Sequence, residues 1–221
     1  MKLLHTDFNK ECNVGLLGYA NNKYCLVGRH LSEKLCDEIE KTLKVPVHQI
    51  SIAGTNLIGA FCVGNNKTLL VPGIIFEDEE RMLKKLKINY TVFDTELTAL
   101  GNNILCNDNG AYVNPDFSAE EKKQIEKLLG VKVESGLIGE LEVTGATCVI
   151  REDKAVISPY AEKSQIQKIE ELLKVTCVEA TINFGSPHLK SGLIVNSNGF
   201  IAGKLSTGIE LDAVFKGLGF E

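Results

Sequence analysis

The stretch Asn21–Gly28, NNKYCLVG, returns 44 residues later as NNKTLLVP, Asn65–Pro72, with its apolar and polar positions preserved. Reading Tyr24–Gly28 as a strand and its exit, the copies are Thr68–Pro72, Ala111–Pro115, Ala155–Pro159 and Gly199–Gly203, at successive spacings of 44, 43, 44 and 44. One such echo could be chance, but five in register mark an internal repeat. Three of the chain's five prolines, and two glycines, fall at the same position of the motif. They end the strand and turn the chain toward a helix.

Helix signals follow where that turn requires them. Ser118 to Glu121 and Thr207 to Glu210 have capping-box form, Ser164 to Gln167 repeats the spacing, and Ser32 is an N-cap without the box. Apolar residues then recur at helical spacing, as in Leu35, Ile39 and Leu43, or Leu211, Val214, Phe215 and Leu218. The other faces, such as EKTLK and EEKKQIEK, mix charges and read as solvated surface. A β-rich stretch follows each of the first four helices and runs on to a glycine: Gly59, Gly101, Gly145 or Gly192.

One unit is therefore strand, strand, helix, strand, opened by Gly15, Gly59, Gly101, Gly145 or Gly192. The units run over about 15–58, 59–100, 101–144, 145–191 and 192–221, and the last lacks its closing strand. Residues 1–14 match the length of the missing piece. An open solenoid needs capping repeats, whereas a fifth unit assembled from both ends closes a ring. A helix in every unit argues against an all-strand propeller. The expected fold is a single α/β domain, a closed ring of five pseudo-symmetric ββαβ units.

Composition narrows the function. With 221 residues, 44% of them hydrophobic, and no long apolar run, the chain is expected to be a globular protein without a membrane span or signal peptide. Seven cysteines, an odd number without a CxxC pair, suit a reducing, cytoplasmic setting and buried thiols. A net charge of -5 gives no general attraction to nucleic acid, and no DNA partner is expected. The histidines, His5, His30, His48 and His188, are scattered without ligand-spaced partners, so neither metal nor cofactor is expected. GLLGYA lacks the Lys-Ser or Lys-Thr of a phosphate loop, and NNK and NDNG read as hairpin turns. Glu79-Glu80 and Glu170-Glu171 read as solvated carboxylates on outer helix faces.

The runs SIAGTNLIGAFCVGNNKTLLVP (Ser51–Pro72), LTALGNNILCND (Leu97–Asp108), INFGSPHLKSGLIVN (Ile182–Asn196) and TGIELDAVF (Thr207–Phe215) resemble the translation initiation factor 6 family, in its archaeal form. The resemblance covers essentially the whole chain. It implies the pentein fold, which is the five-unit ring already reached from the repeats. It further implies a monomeric ribosome anti-association factor. Such a factor binds the intersubunit face of the large ribosomal subunit, near the sarcin-ricin loop and a neighbouring ribosomal protein, and keeps the small subunit from joining. A role in large-subunit biogenesis is also implied in eukaryotic members, whose C-terminal tail has no counterpart in this sequence, so regulation through such a tail is not expected.

The same fold houses enzymes that modify guanidino groups with a cysteine in the last repeat. Here the last cysteine is Cys177, so the resemblance favours a binding protein over an enzyme. Cys62 and Cys148, each three residues after an opening glycine, read as buried small hydrophobes. The binding face is expected at the turns that carry those glycines: Gly15, Leu16, Ala60, Phe61, Asn102, Asn103, Ala146, Thr147 and Leu193. A neutral patch of this kind suits docking on protein with limited contact to an RNA backbone.

Overall fold

In the computed structural model, which describes residues 2–221, five three-stranded sheets stand around a central axis. The first unit shows the plan. Strand β1 (Leu3–Thr6) belongs to the last sheet, and the chain then forms an axial turn at Val14–Leu16, β2 (Gly18–Ala20), β3 (Cys25–Gly28), α1 (Glu33–Leu43) and β4 (Val47–Ile50). Strand β3 pairs antiparallel with β2 and parallel with β4, so α1 is a crossover between parallel strands.

The second sheet is β5 (Val63–Gly64), β6 (Leu69–Pro72) and β7 (Tyr90–Phe93), with α2 (Glu77–Lys85). The third is β8 (Ile104–Cys106), β9 (Gly110–Val113) and β10 (Lys132–Ser135), with α3 (Ala119–Leu129). The fourth is β11 (Cys148–Arg151), β12 (Lys154–Ile157) and β13 (Thr176–Glu179), with α4 (Lys163–Leu173). The fifth takes β14 (Leu193–Val195), β15 (Phe200–Gly203) and α5 (Gly208–Gly217) from the end of the chain and β1 from its beginning. Leu3 to Thr6 run parallel to Phe200 to Gly203 in the place that β4 holds against β3. The sequence reading began the closing segment at Met1, which lies outside the described residues.

The apolar core is divided among the seams of this ring. Val27, Ile39 and Leu43 of the first unit pack with Leu4, Ile194 and Ile201 of the fifth. Leu26 and Ile50 pack with Leu69, Val71 and Leu83 of the second. The next seams join Val63 and Phe93 to Ile125, and Leu105 and Tyr112 to Ile169. The last joins Val156 to Val214 and Phe200. Each helix buries its stripe partly against its neighbour's sheet, so closing the ring removes apolar surface from water at every seam.

The helix starts show how local chemistry serves the ring. The third residue of α3 is Glu121, which accepts from Ser118 N at 2.7 Å and from Thr95 Oγ1 at 2.6 Å. Glu79 accepts from Phe76 N, Ala53 N and Gly54 N, and Glu210 from Thr207 N, Phe184 N and Gly185 N. One side chain thus caps its own helix and clamps the loop before it. The start of α4 corrects the sequence reading. Its cap is Glu162, whose N–H donates to Gln165 Oε1 at 2.9 Å, and Ser164 lies inside the helix. Gln165 also accepts from Gly139 N at 2.8 Å, and this clamp fixes the register that spacing alone set two residues late.

Candidate functional site

At one end of the axis, the five turns Val14–Leu16, Ile58–Phe61, Leu100–Asn103, Thr144–Ala146 and Leu189–Gly192 meet around a narrow aperture. Contact here is backbone on backbone. A Cβ added at Gly59 would lie 1.8 Å from Gly15 O, one at Gly101 2.0 Å from Gly59 O, and one at Gly145 2.6 Å from Gly101 O. A Cβ at Gly15 would lie 1.8 Å from Lys190 O, which completes the circle. Glycine is required at four positions because a neighbouring carbonyl occupies the space of a side chain.

The fifth position of that circle is Lys190, not Gly192 as the repeat reading had it. Three loops before the axial turns close with short bridges, Phe8 to Glu11, Ile52 to Thr55 and Ile138 to Leu141, while the last runs from Ile182 to Ser186 and carries one more residue. That insertion shifts the register, so Lys190 matches the four glycines and Ser191 matches Leu16, Ala60, Asn102 and Ala146. Leu193 corresponds to Gly18 and is a core residue, 2% exposed, rather than a turn residue.

The Lys190 side chain runs inward, and its Nζ donates to Gly101 O across the ring at 2.7 Å. Burial holds its ammonium pKa down at about 8, against small opposing effects from Cys106 and Cys62. The narrow end is closed by this side chain. Behind it the axis opens into an inner chamber of about 120 Å³ and then a basin of about 340 Å³ ringed by the hairpin turns. Those hairpins are tied in series: Ser197 N donates to Asn22 Oδ1, Asn22 N to Asn66 Oδ1, and Asn66 Nδ2 to Asp108 Oδ2. The recurring asparagines bind the wide end together.

The outer side of the narrow end is a shallow depression of about 410 Å³ lined by Asn13, Leu16, Asn102, Val143, Ala146, Ser186, His188 and Ser191. It carries no carboxylate, lysine or arginine in that lining. Of the nine residues expected on this face, Leu16, Phe61 and Asn102 are half-buried, and Ala60 and Ala146 retain 7% and 5% exposure. The side-chain amide of Asn102 has no hydrogen-bond partner among the described residues.

Gly15, Asn103, Thr147 and Leu193 lie beneath the surface and hold its shape. Asn103 Nδ2 donates to Ala99 O at 3.0 Å and its Oδ1 accepts from Asn114 Nδ2 at 2.8 Å, while Thr147 Oγ1 donates to Thr144 O at 2.9 Å. At that step of the turn Asn103 and Thr147 point into the fold, whereas Phe61, two residues after Gly59, is only half-buried. Asn13, Val143, Ser186, His188 and Ser191 escaped the sequence reading because they precede the glycine or belong to the shifted fifth turn. Phe184, within the longer loop, has φ of 65° and is 82% exposed, an unusual conformation for a bulky residue.

The thiols and the acidic pairs complete the inventory. Cys62 and Cys106 are pushed up to about 12, chiefly by burial, and a hydrogen bond with Cys177 followed by burial raises Cys148. Glu79 is buried and structural, unlike the solvated residue expected from sequence. Among the described residues no three His, Cys, Asp or Glu side chains converge as a metal site would need, and no helix is long and apolar enough to cross a membrane.

A ring of ββαβ units closed by its two ends is a pentein, and solved structures share it. The DDAH of Pseudomonas aeruginosa, a cysteine-to-serine mutant complexed with citrulline, matches with a TM-score of 0.52 and 13% identity over 75% of this chain and 67% of its own. The substrate-bound N-terminal domain of ArgZ, a cyanobacterial arginine dihydrolase, matches at 0.52 and 12% over 89% and 74%. At those identities the likeness is one of fold. The profile of the eIF-6 family matches residues 3–216, and the chain belongs to that family. Translation initiation factor 6 of Pyrococcus abyssi is 35% identical over 99% of both chains, and that of Staphylothermus marinus is 34% identical over 99% of this chain and 98% of its own. The chain is thereby placed among translation initiation factors, with a role in protein biosynthesis.

Proposed function

We propose that the protein is a ribosome anti-association factor, binding the large ribosomal subunit with its narrow end and so preventing early joining of the small subunit. The observation that carries this reading is the uncharged depression around the axis, with the unpartnered Asn102 amide at its rim. Such a face suits a protein partner, with RNA phosphates nearby reached through neutral hydrogen-bonding groups. Leu16, Asn102, Ala146 and Ser191 meet the partner at the axis, and Phe61 and Phe184 flank them. Large-subunit biogenesis is a second consequence of binding the same face. The factor acts as a cytoplasmic monomer, without cofactor.

Catalysis is disfavoured by the thiols. A cysteine nucleophile works as its thiolate, and burial keeps Cys62 and Cys106 protonated at neutral pH. No cysteine lies in Gly192–Glu221, where the fold's guanidino-modifying enzymes keep theirs.

Sedimentation with purified archaeal subunits tests the reading. The protein should travel with the large subunit, not the small one, and should keep the two apart when they are mixed. Sedimentation with the small subunit alone, or turnover of an arginine-like substrate, would contradict it.

A further inference from the structure

Lys190 brings a cation into a chamber that supplies it with no negative partner. Its Nζ has one acceptor, Gly101 O, leaving two N–H groups to be satisfied. The chamber of about 120 Å³ is walled mainly by apolar side chains such as Val63, Ile104 and Ile194, and no carboxylate lines it. Tyr19 lines the same chamber. It is 8% exposed, and its hydroxyl is buried without a hydrogen-bond partner. A half-buried ammonium with one protein acceptor and a buried phenol with none within hydrogen-bond distance share one apolar space, an arrangement that a ligand accepting from both would stabilise.

The surroundings define what that ligand is. It must accept hydrogen bonds from both groups, carry one negative charge to offset one ammonium, and be small. The inner strands β2, β5, β8, β11 and β14 each end their sheet, so they also turn unpaired backbone edges to the axis. Carboxylates of the outer basin are engaged elsewhere. Asp108 accepts from Asn66 through both oxygens, and Glu152 lies 3.7 Å from Arg151 Nη2. Tyr19 borders both chambers, which makes the basin the way in.

We propose that the inner chamber is a binding site for a small monovalent anion of halide size, held by Lys190 Nζ and Tyr19 OH. The anion sits on the axis behind the lysine plug and helps keep the narrow end closed. The site goes beyond ribosome binding and does not depend on it.

Thermal melts at fixed ionic strength, exchanging sodium gluconate for sodium bromide, test the proposal in the full chain. Bromide should raise the wild-type Tm by about 3–5 °C for each tenfold excess over its dissociation constant. Lys190→Met should abolish the response, and Tyr19→Phe should weaken it severalfold. A wild-type Tm that is equal or lower in bromide, or a full response in Lys190→Met, overturns the proposal. If Lys190→Met fails to fold, anomalous diffraction from bromide-soaked wild-type crystals decides. A peak within hydrogen-bond reach of Lys190 Nζ supports the site, and peaks on the outer surface alone overturn it.

Discussion

Four units of the ring pass the axis as glycine and the fifth passes it as lysine. In the first four, the backbone approaches its neighbour so closely that a methyl group at Gly59 would lie 1.8 Å from a carbonyl oxygen. In the fifth, a loop one residue longer delivers the chain to the same circle with a side chain that reaches across it. The difference separates two demands that symmetry would otherwise blend. Close packing fixes the residue type at four seams, while the remaining seam is free to carry a functional group, and here it carries the plug of the channel.

Loss of a strand should do the most damage at the fifth unit. Deleting residues 2–13 removes β1 and buried Phe8, leaving β15 with an unpaired edge and the seam with α1 exposed. The ring should open, with aggregation visible by light scattering. A truncated chain that stays monomeric with an unchanged Tm would show that the fifth unit closes without its borrowed strand.

Next in size is a substitution at the glycine circle. Gly59→Ala forces a backbone carbonyl to move, and the expected loss is about 4 kcal/mol, at the upper end of single substitutions. Exchange at the fifth position, Lys190→Met, should cost far less, since that position already holds a side chain. Urea denaturation of the two variants measures the contrast. Equal losses would mean that the five positions are equivalent after all.

Lys190 also predicts a pH signature. Its folded pKa of about 8 lies below the usual 10.5, so between those values the unfolded chain binds more protons than the folded one. Stability from this group should therefore rise with pH from about 8 to about 10.5, by at most about 3 kcal/mol. The rise should vanish in Lys190→Met, with both proteins measured by urea denaturation in halide-free buffer. A wild-type curve parallel to that of the variant would contradict the buried, charged lysine.

The smallest effects lie at the helix caps. Ser118→Ala should cost about 1 kcal/mol, because Ser118 Oγ accepts from Glu121 N. Ser164→Ala should cost almost nothing, because Ser164 lies inside α4 and its hydroxyl reaches only Glu162 Oε2, at 3.4 Å. Their thermal melts check the corrected helix start.

Much of this fold is legible in sequence because the repeat repeats its punctuation. NNKYCLVG and NNKTLLVP encode the same hairpin and strand, and the proline or glycine marks the same exit. What resists reading is whatever a local pattern cannot register. The single residue added near Phe184 moves the true fifth position from Gly192 to Lys190, and a search for glycines passes over a lysine. The Phe76–Glu79 cap is hidden because the residue before the helix contributes backbone groups and no side-chain acceptor. For the candidate site, sequence locates the turns but not the depth of each side chain. Asn102 and Asn103 are adjacent and chemically identical, yet one faces out while the other is tied to Ala99 and Asn114.

The proposed binding face at the narrow end is tested most directly at Asn102. Asn102→Glu places a carboxylate on the otherwise uncharged depression, where nearby RNA phosphates would make it costly to desolvate. Sedimentation with purified large subunits should show binding at least tenfold weaker with an unchanged Tm, while Glu126→Lys on the exposed face of α3 binds as wild type. If Asn102→Glu bound as well as wild type and Glu126→Lys failed, the binding surface would belong to the helical rim and not to the narrow end of the ring.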